Sequence, residues 1–142
     1  RQRQMCIRDR RVITAEARSY LGVTSVGHRR YDVVVSDCFG GAEPVRELAT
    51  VEALRLVRGS LNPGGIYVAN IVSANRGSDV TFLRDCVAAA LEVFAHAWVV
   101  PCGDAEFGGE ENYLLIASDG NYAFAEAVPF DADFLGTVLH DK

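Results

Sequence analysis

No two cysteines stand at C-x-x-C spacing, and no histidine lies at ligand spacing from Cys6, Cys38, Cys86 or Cys102. A zinc site is therefore not expected, nor any other metal, and the four thiols read as reduced and mostly packed in the core. Basic charge is scarce: 14 Lys and Arg face 19 Asp and Glu, a net charge of −5. Outside the N-terminus the basic residues are scattered, so a nucleic-acid partner does not fit. Long apolar runs are missing as well. None approaches the ~18 residues that cross a bilayer, and the N-terminus lacks the apolar centre of a signal peptide. A soluble, cytoplasmic protein without a membrane segment is the expectation. Neither G-x-G-x-x-G nor G-x-x-x-x-G-K occurs, which removes the dinucleotide and P-loop fingerprints.

What remains is ordinary globular material. Hydrophobic residues make up 49% against 23% charged, too apolar for a disordered chain, and 142 residues are one domain's worth but short for a complete doubly wound enzyme. The opening RQRQMCIRDR follows neither helical nor strand periodicity. It resembles the translated read-through of a sequencing adapter, so residues 1–10 are expected to be a leader outside the fold and residues 11–142 a partial domain.

From Arg11 the pattern is regular. Val12-Ile13-Thr14 reads as a short strand, Glu16 to Leu21 as a loop or one helical turn, and residues 31–36, YDVVVS, as a strand. Between Glu43 and Leu61, apolar residues recur at steps of three and four (Val45, Leu48, Val51, Leu54, Val57, Leu61), which predicts an amphipathic helix. Asn62-Pro63-Gly64-Gly65 stops it. Ile66 to Val72 is apolar on both faces, the mark of a central strand covered on each side. Val80, Leu83, Val87, Ala90, Leu91 and Phe94 define a second helix, capped by Ser78 or Asp79, with Phe94 and Trp98 expected in the core. Two strands follow, 97–100 and 113–117, with no helix between them, so they pair antiparallel. A short helix capped by Asp131 closes the chain.

This order is the second half of an open α/β sheet, in which ligands gather beyond the carboxyl ends of the parallel strands. Asp37 stands at such an end. With the closing hairpin, the order resembles the S-adenosylmethionine-dependent methyltransferase fold, a Rossmann-like, mostly parallel sheet. More narrowly, RVITAEARSYL, RRYDVVVSDCFGG, LATVEALRLVRGSLNPGGIYVANIV and ENYLLIASD are similar to the spermidine synthase family, particularly its spermidine synthase-like bacterial members. The resemblance spans Arg11 to about Asp119 and implies that the first strands of the sheet, the glycine-rich loop and the ribose-binding acid lie upstream. A sheet so truncated would have an uncovered face and an open edge.

What the resemblance implies for the site follows residue by residue. Glu16-Ala17 matches the acid-Ala or acid-Gly pair that contacts adenine, with Glu in place of the usual Asp. Asp37 matches the acid that holds the attacking amine and helps remove its proton, and Cys38 lines the cofactor side. Phe39, Gly40 and Asn70 fall on the acceptor side. Gly40 stands where the family carries a second carboxylate, so the diamine-binding pair is incomplete. The implied activity is aminopropyl or methyl transfer from decarboxylated S-adenosylmethionine or S-adenosylmethionine to a small amine, a homodimer being compatible with it. The rival reading is a non-catalytic nucleoside-binding or assembly module of the same fold.

Overall fold

In the computed structural model, residues 10–40, 43–74, 80–103 and 110–142 are described. Helix α1 (Ala17–Val26) comes first, where one turn at most was expected. Its sequence, ARSYLGVTSV, is rich in β-branched residues and glycine and has little intrinsic helicity. Capping and packing override that. The Glu16 carboxylate accepts hydrogen bonds from the Arg18 and Ser19 amides at 2.8 and 2.7 Å, and the helix lies along α2 (Val51–Ser60) with Thr24 and Ser60 hydroxyls 3.0 Å apart in the buried seam. Val12-Ile13-Thr14 is not a strand: the segment is irregular, and Val12 is 76% exposed. No neighbouring strand among the described residues offers it a ladder.

Strand β1 (Tyr31–Ser36) follows, then a small hairpin of β2 (Phe39–Gly40) with β3 (Glu43–Pro44). The helix expected from Glu43 begins at Val51 instead. Pro44 lacks an amide hydrogen and holds the residue before it extended, residues 46–48 make a single 3-10 turn, and Thr50 caps α2 by accepting from the Ala53 amide. The helix ends at Ser60, and Asn62-Pro63-Gly64-Gly65 opens β4 (Leu61–Ala74) as an irregularity in its pairing. Gly64 takes a positive φ of 73°, the conformation only glycine adopts freely. Then come α3 (Thr81–Leu91), β5 (His96–Pro101) and β6 (Glu110–Ser118). The caps expected at Ser78 and Asp79 lie outside the described residues.

The sheet runs β1-β4-β6-β5, with β1 parallel to β4 and the other neighbours antiparallel. α1 lies against α2, and α2 and α3 pack on one face. There the row Ser36, Ala69, Leu115, Val99 lies beneath Leu54, Leu83 and Val87, each at most 2% exposed. Phe94 stacks parallel on Tyr67 with centroids 6.3 Å apart. The second face is not covered by a helix among the described residues, contrary to the expectation of cover on both sides of β4. Its row Val35, Val68, Ile116, Trp98 runs from a valine 68% exposed to an aromatic group of Trp98, Tyr122 and Phe124 beside β5. Trp98 is thus half-buried in that group and not in the core. Of the three described cysteines only Cys86 is core, its thiol pushed up to about 12 by burial; Cys38 and Cys102 are exposed.

The tail returns across the helices. Asp131 caps the 3-10 turn Ala132–Phe134, shorter than the helix expected there. Gly136 then lies on the first half of α3: a Cβ there would clash with Asp85 Oδ1 and stand 2.8 Å from the Asp85 amide nitrogen. Asp85 is buried and accepts from the Thr137 amide at 2.7 Å, so it has no room to retreat. Gly136→Ala is expected to destabilise by about 1–3 kcal/mol through overpacking, read as a fall of several degrees in the calorimetric melting temperature; an unchanged melt would mean the tail is not docked. Among the described residues β1 has an unpaired edge and bare valines, which predict concentration-dependent association of this chain. In sedimentation velocity, Val33→Lys with Val35→Lys is expected to shift the chain toward monomer.

Candidate functional site

Helix α1 runs down and β1 runs back up, so the α1 N-terminus and the carboxyl ends of β1 and β4 meet at one end of the sheet. Asp37 follows the last residue of β1. Its side chain is exposed, and Oδ1 accepts a hydrogen bond from Asn70 Nδ2 at 3.0 Å. That contact is a consequence of register: Ser36 pairs with Ala69, so the next residues on each strand stand side by side. Cys38 is exposed, and its carbonyl accepts from the Val45 amide at 3.4 Å, which folds the β2–β3 hairpin back against the strand end. Phe39 is half-buried in that hairpin. Gly40 pairs with Glu43.

A groove of about 350 Å³ runs between α1 and β1, with Ala17 and Cys38 both at its upper end and Tyr20, Leu21 and Val34 along its apolar wall. Glu16 does not face it. Its carboxylate is occupied as the α1 cap, and the Arg18 and Ser19 amides hold it below the usual carboxylate range. Glu16 borders a second, more polar groove of about 620 Å³ with Arg18, Arg46, Thr50 and the tail residues His140 and Asp141. Adjacent residues of one turn, Glu16 and Ala17, thus serve two grooves. Four of the seven sequence-predicted residues fall into two pairs, Ala17 with Cys38 and Asp37 with Asn70.

Sequence reasoning missed the tail clamp around the second groove. Arg18 pairs with both carboxylate oxygens of Asp141, Thr50 Oγ1 donates to Asp141 Oδ1 at 2.8 Å, and the Asp141 amide donates to Glu52 at 3.0 Å. His140 Nδ1 lies 3.0 Å from Glu52 Oε1. These partners are so distant in the chain that no local spacing signals them. Among the described residues no group of three His, Cys, Asp or Glu is arranged to hold a metal, and no helix is long and apolar enough to cross a membrane.

No family model matches the chain. A curated protein of Bifidobacterium longum (strain NCC 2705), described as a probable polyamine aminopropyl transferase, is 32% identical over 79 residues, covering 54% of this chain and 17% of its own length. A crystal structure of a probable spermidine synthase from Corynebacterium glutamicum ATCC 13032 superposes with a TM-score of 0.60 at 30% identity, over 72% of this chain and 37% of that one. Over the matched residues the chain is similar to the spermidine synthase-like family. Its mixed sheet is the corresponding part of that Rossmann-like fold, and the chain spans about a third of the solved relative and a sixth of the curated one.

Hydrogen bonds from Arg18 and Thr50 lower the Asp141 carboxyl, and those from His140 and the Asp141 amide lower Glu52, from ordinary values of 3.8 and 4.5. Groups depressed in the folded state stabilise it above their ordinary values, and that contribution vanishes as pH falls through the folded values. The melting temperature is therefore expected to fall between roughly pH 5 and pH 2, and less steeply in Asp141→Asn. Parallel profiles for the two proteins would exclude the clamp as the source.

Proposed function

We propose that the chain forms part of a cytoplasmic transferase of the spermidine synthase type. It moves an aminopropyl group from decarboxylated S-adenosylmethionine, or a methyl group from S-adenosylmethionine, to a small amine. The observation that carries this reading is Asp37: an exposed carboxylate at the carboxyl end of a parallel strand, oriented by a neutral amide and, among the described residues, without a cation bonded to it. Open α/β sheets bind ligands at that end.

The residues fit the donor nucleoside. Ala17 offers no side chain beyond Cβ, so a flat base can lie at the top of the apolar groove. Glu16 borders the second groove and uses its oxygens for the Arg18 and Ser19 amides, so a contact from it to an adenine amino group requires the base to extend past Ala17 out of the apolar groove. Cys38, exposed at the same rim, is a small lining group, and Phe39 and Gly40 border the acceptor side.

When bound, the sulfonium donor supplies an electrophilic carbon and a neutral thioether leaving group. Asp37 binds the acceptor as an ammonium ion, draws off one proton and passes it to water, freeing the nitrogen lone pair. That pair forms the new C–N bond as the C–S bond breaks, and the sulfur keeps the bonding electrons. A carboxylate suits both duties, since it binds the cation and accepts its proton. A homodimer is compatible with this reading.

In the full-length protein carrying this chain, Asp37→Asn is expected to lower turnover by ~10²-fold or more while calorimetric binding of 5′-methylthioadenosine persists. Parental turnover in Asp37→Asn would remove Asp37 from the chemistry. A parent that binds the nucleoside but turns over no amine would be a binding module.

A further inference from the structure

Aspartate–asparagine hydrogen bonds tie β1 to β4 at both ends of their parallel pairing. Asn62 Nδ2 donates to Asp32 Oδ1 at 2.8 Å at one end, and Asn70 Nδ2 to Asp37 Oδ1 at 3.0 Å at the other. The two rungs differ in one atom. Asn70 Oδ1 is shut off from water and has no hydrogen-bond partner among the described residues. A carbonyl left in that condition destabilises the folded state, and such a group calls for an explanation. Turning the amide over would give no relief, because Oδ1 would then confront the Asp37 carboxylate, acceptor against acceptor. Asp37 therefore dictates the orientation, and the fold tolerates the orphan oxygen in consequence. An architectural tie needs no such sacrifice: Asn62 makes the same bond without a buried unpartnered oxygen.

We propose that Asn70 is a positioning residue: it fixes the Asp37 carboxylate and offers its carbonyl to a second N–H of the acceptor held there. The inference rests on the amine-transfer reading of Asp37 and deepens it. An ammonium ion bound through one N–H has two more, whereas a hydroxyl acceptor has a single O–H. The pair of acceptors, one charged and one neutral, thus selects a primary amine. Rotation about the terminal side-chain bond of asparagine is soft, so a small swing of the amide opens Oδ1 to the ligand.

The test compares Asn70→Ala and the isosteric Asn70→Asp with Asn62→Ala as control. Melting is measured on this chain. Turnover is measured on the full-length protein, with decarboxylated S-adenosylmethionine as donor and 1,4-diaminobutane as amine. Asn70→Ala is expected to melt at or above the parental temperature, because the orphan carbonyl is gone, while kcat/KM for the amine falls about tenfold or more. Asn70→Asp, which has no N–H for Asp37, is expected to lose as much, and Asn62→Ala to turn over like the parent. Binding of 5′-methylthioadenosine should be unchanged throughout. Parental kcat/KM in both Asn70 variants, or a loss that only follows a lower melting temperature, would overturn the inference. If Asp37→Asn abolishes turnover while the Asn70 variants do not, the amine-transfer reading stands and this inference alone falls. If Asp37→Asn turns over normally, the reading falls and the inference with it.

Discussion

The fold depends on one strand being hydrogen-bonded along both edges. β4 pairs in parallel with β1 and antiparallel with β6, so every other structural relation is measured from it. Its helix-facing residues Tyr67, Ala69, Ile71 and Ser73 are buried, and a one-residue slip would carry them all to the opposite face. Burial of that row fixes the register. Register in turn sets Ser36 against Ala69 and so brings Asp37 to Asn70. The polar contact at the candidate site is thus specified by apolar packing along the same strand.

The irregularity at the start of β4 is part of the same constraint. β4 inserts extra residues between the rungs Tyr31–Leu61 and Val33–Ile66, and the chain absorbs them at Asn62 to Gly65. The Gly64 carbonyl accepts from the Tyr122 hydroxyl at 2.7 Å and the Gly65 carbonyl from Ser118 Oγ at 2.8 Å. Carbonyls that leave the ladder are therefore met by side chains, as buried backbone requires. Without that insertion α2 could not end at Ser60 and still deliver Ile66 opposite Val33.

Much of this was legible in the sequence because it is local or periodic. The apolar runs at 31–36 and 66–72, the stripe of Val51, Leu54 and Val57, and the helix-free link between the last two strands each found their element. Failures occurred where tertiary contacts overrule local preference. α1 has poor propensity yet forms against α2, and Val12 to Thr14 have good strand propensity yet no partner strand among the described residues. The stripe starting at Val45 matched helical spacing by coincidence, and Pro44 with Thr50 decided otherwise. At the site, Asp37 was readable from its position after a strand. Its bond to Asn70 was not, because it requires the register. The Arg18–Asp141 clamp joins residues at opposite ends of the described chain, with nothing periodic to announce it.

A carboxylate at the end of β1 is explained by what other acids of the chain do with theirs. Glu16 is met by two amides of α1, Glu52 by His140 and the Asp141 amide, and Asp141 by Arg18 and Thr50. Each has two hydrogen-bonding partners within the chain, and Asp141 alone of the three is met by a guanidinium. Among the described residues Asp37 has one partner, a neutral amide, which orients it without neutralising it. Fixing direction while leaving charge intact is what a site for a cationic ligand requires, since an internal cation would compete with the guest and an unfixed carboxylate would lose entropy on binding it. The asymmetry among these four acids sets Asp37 apart more clearly than its position in the sequence does.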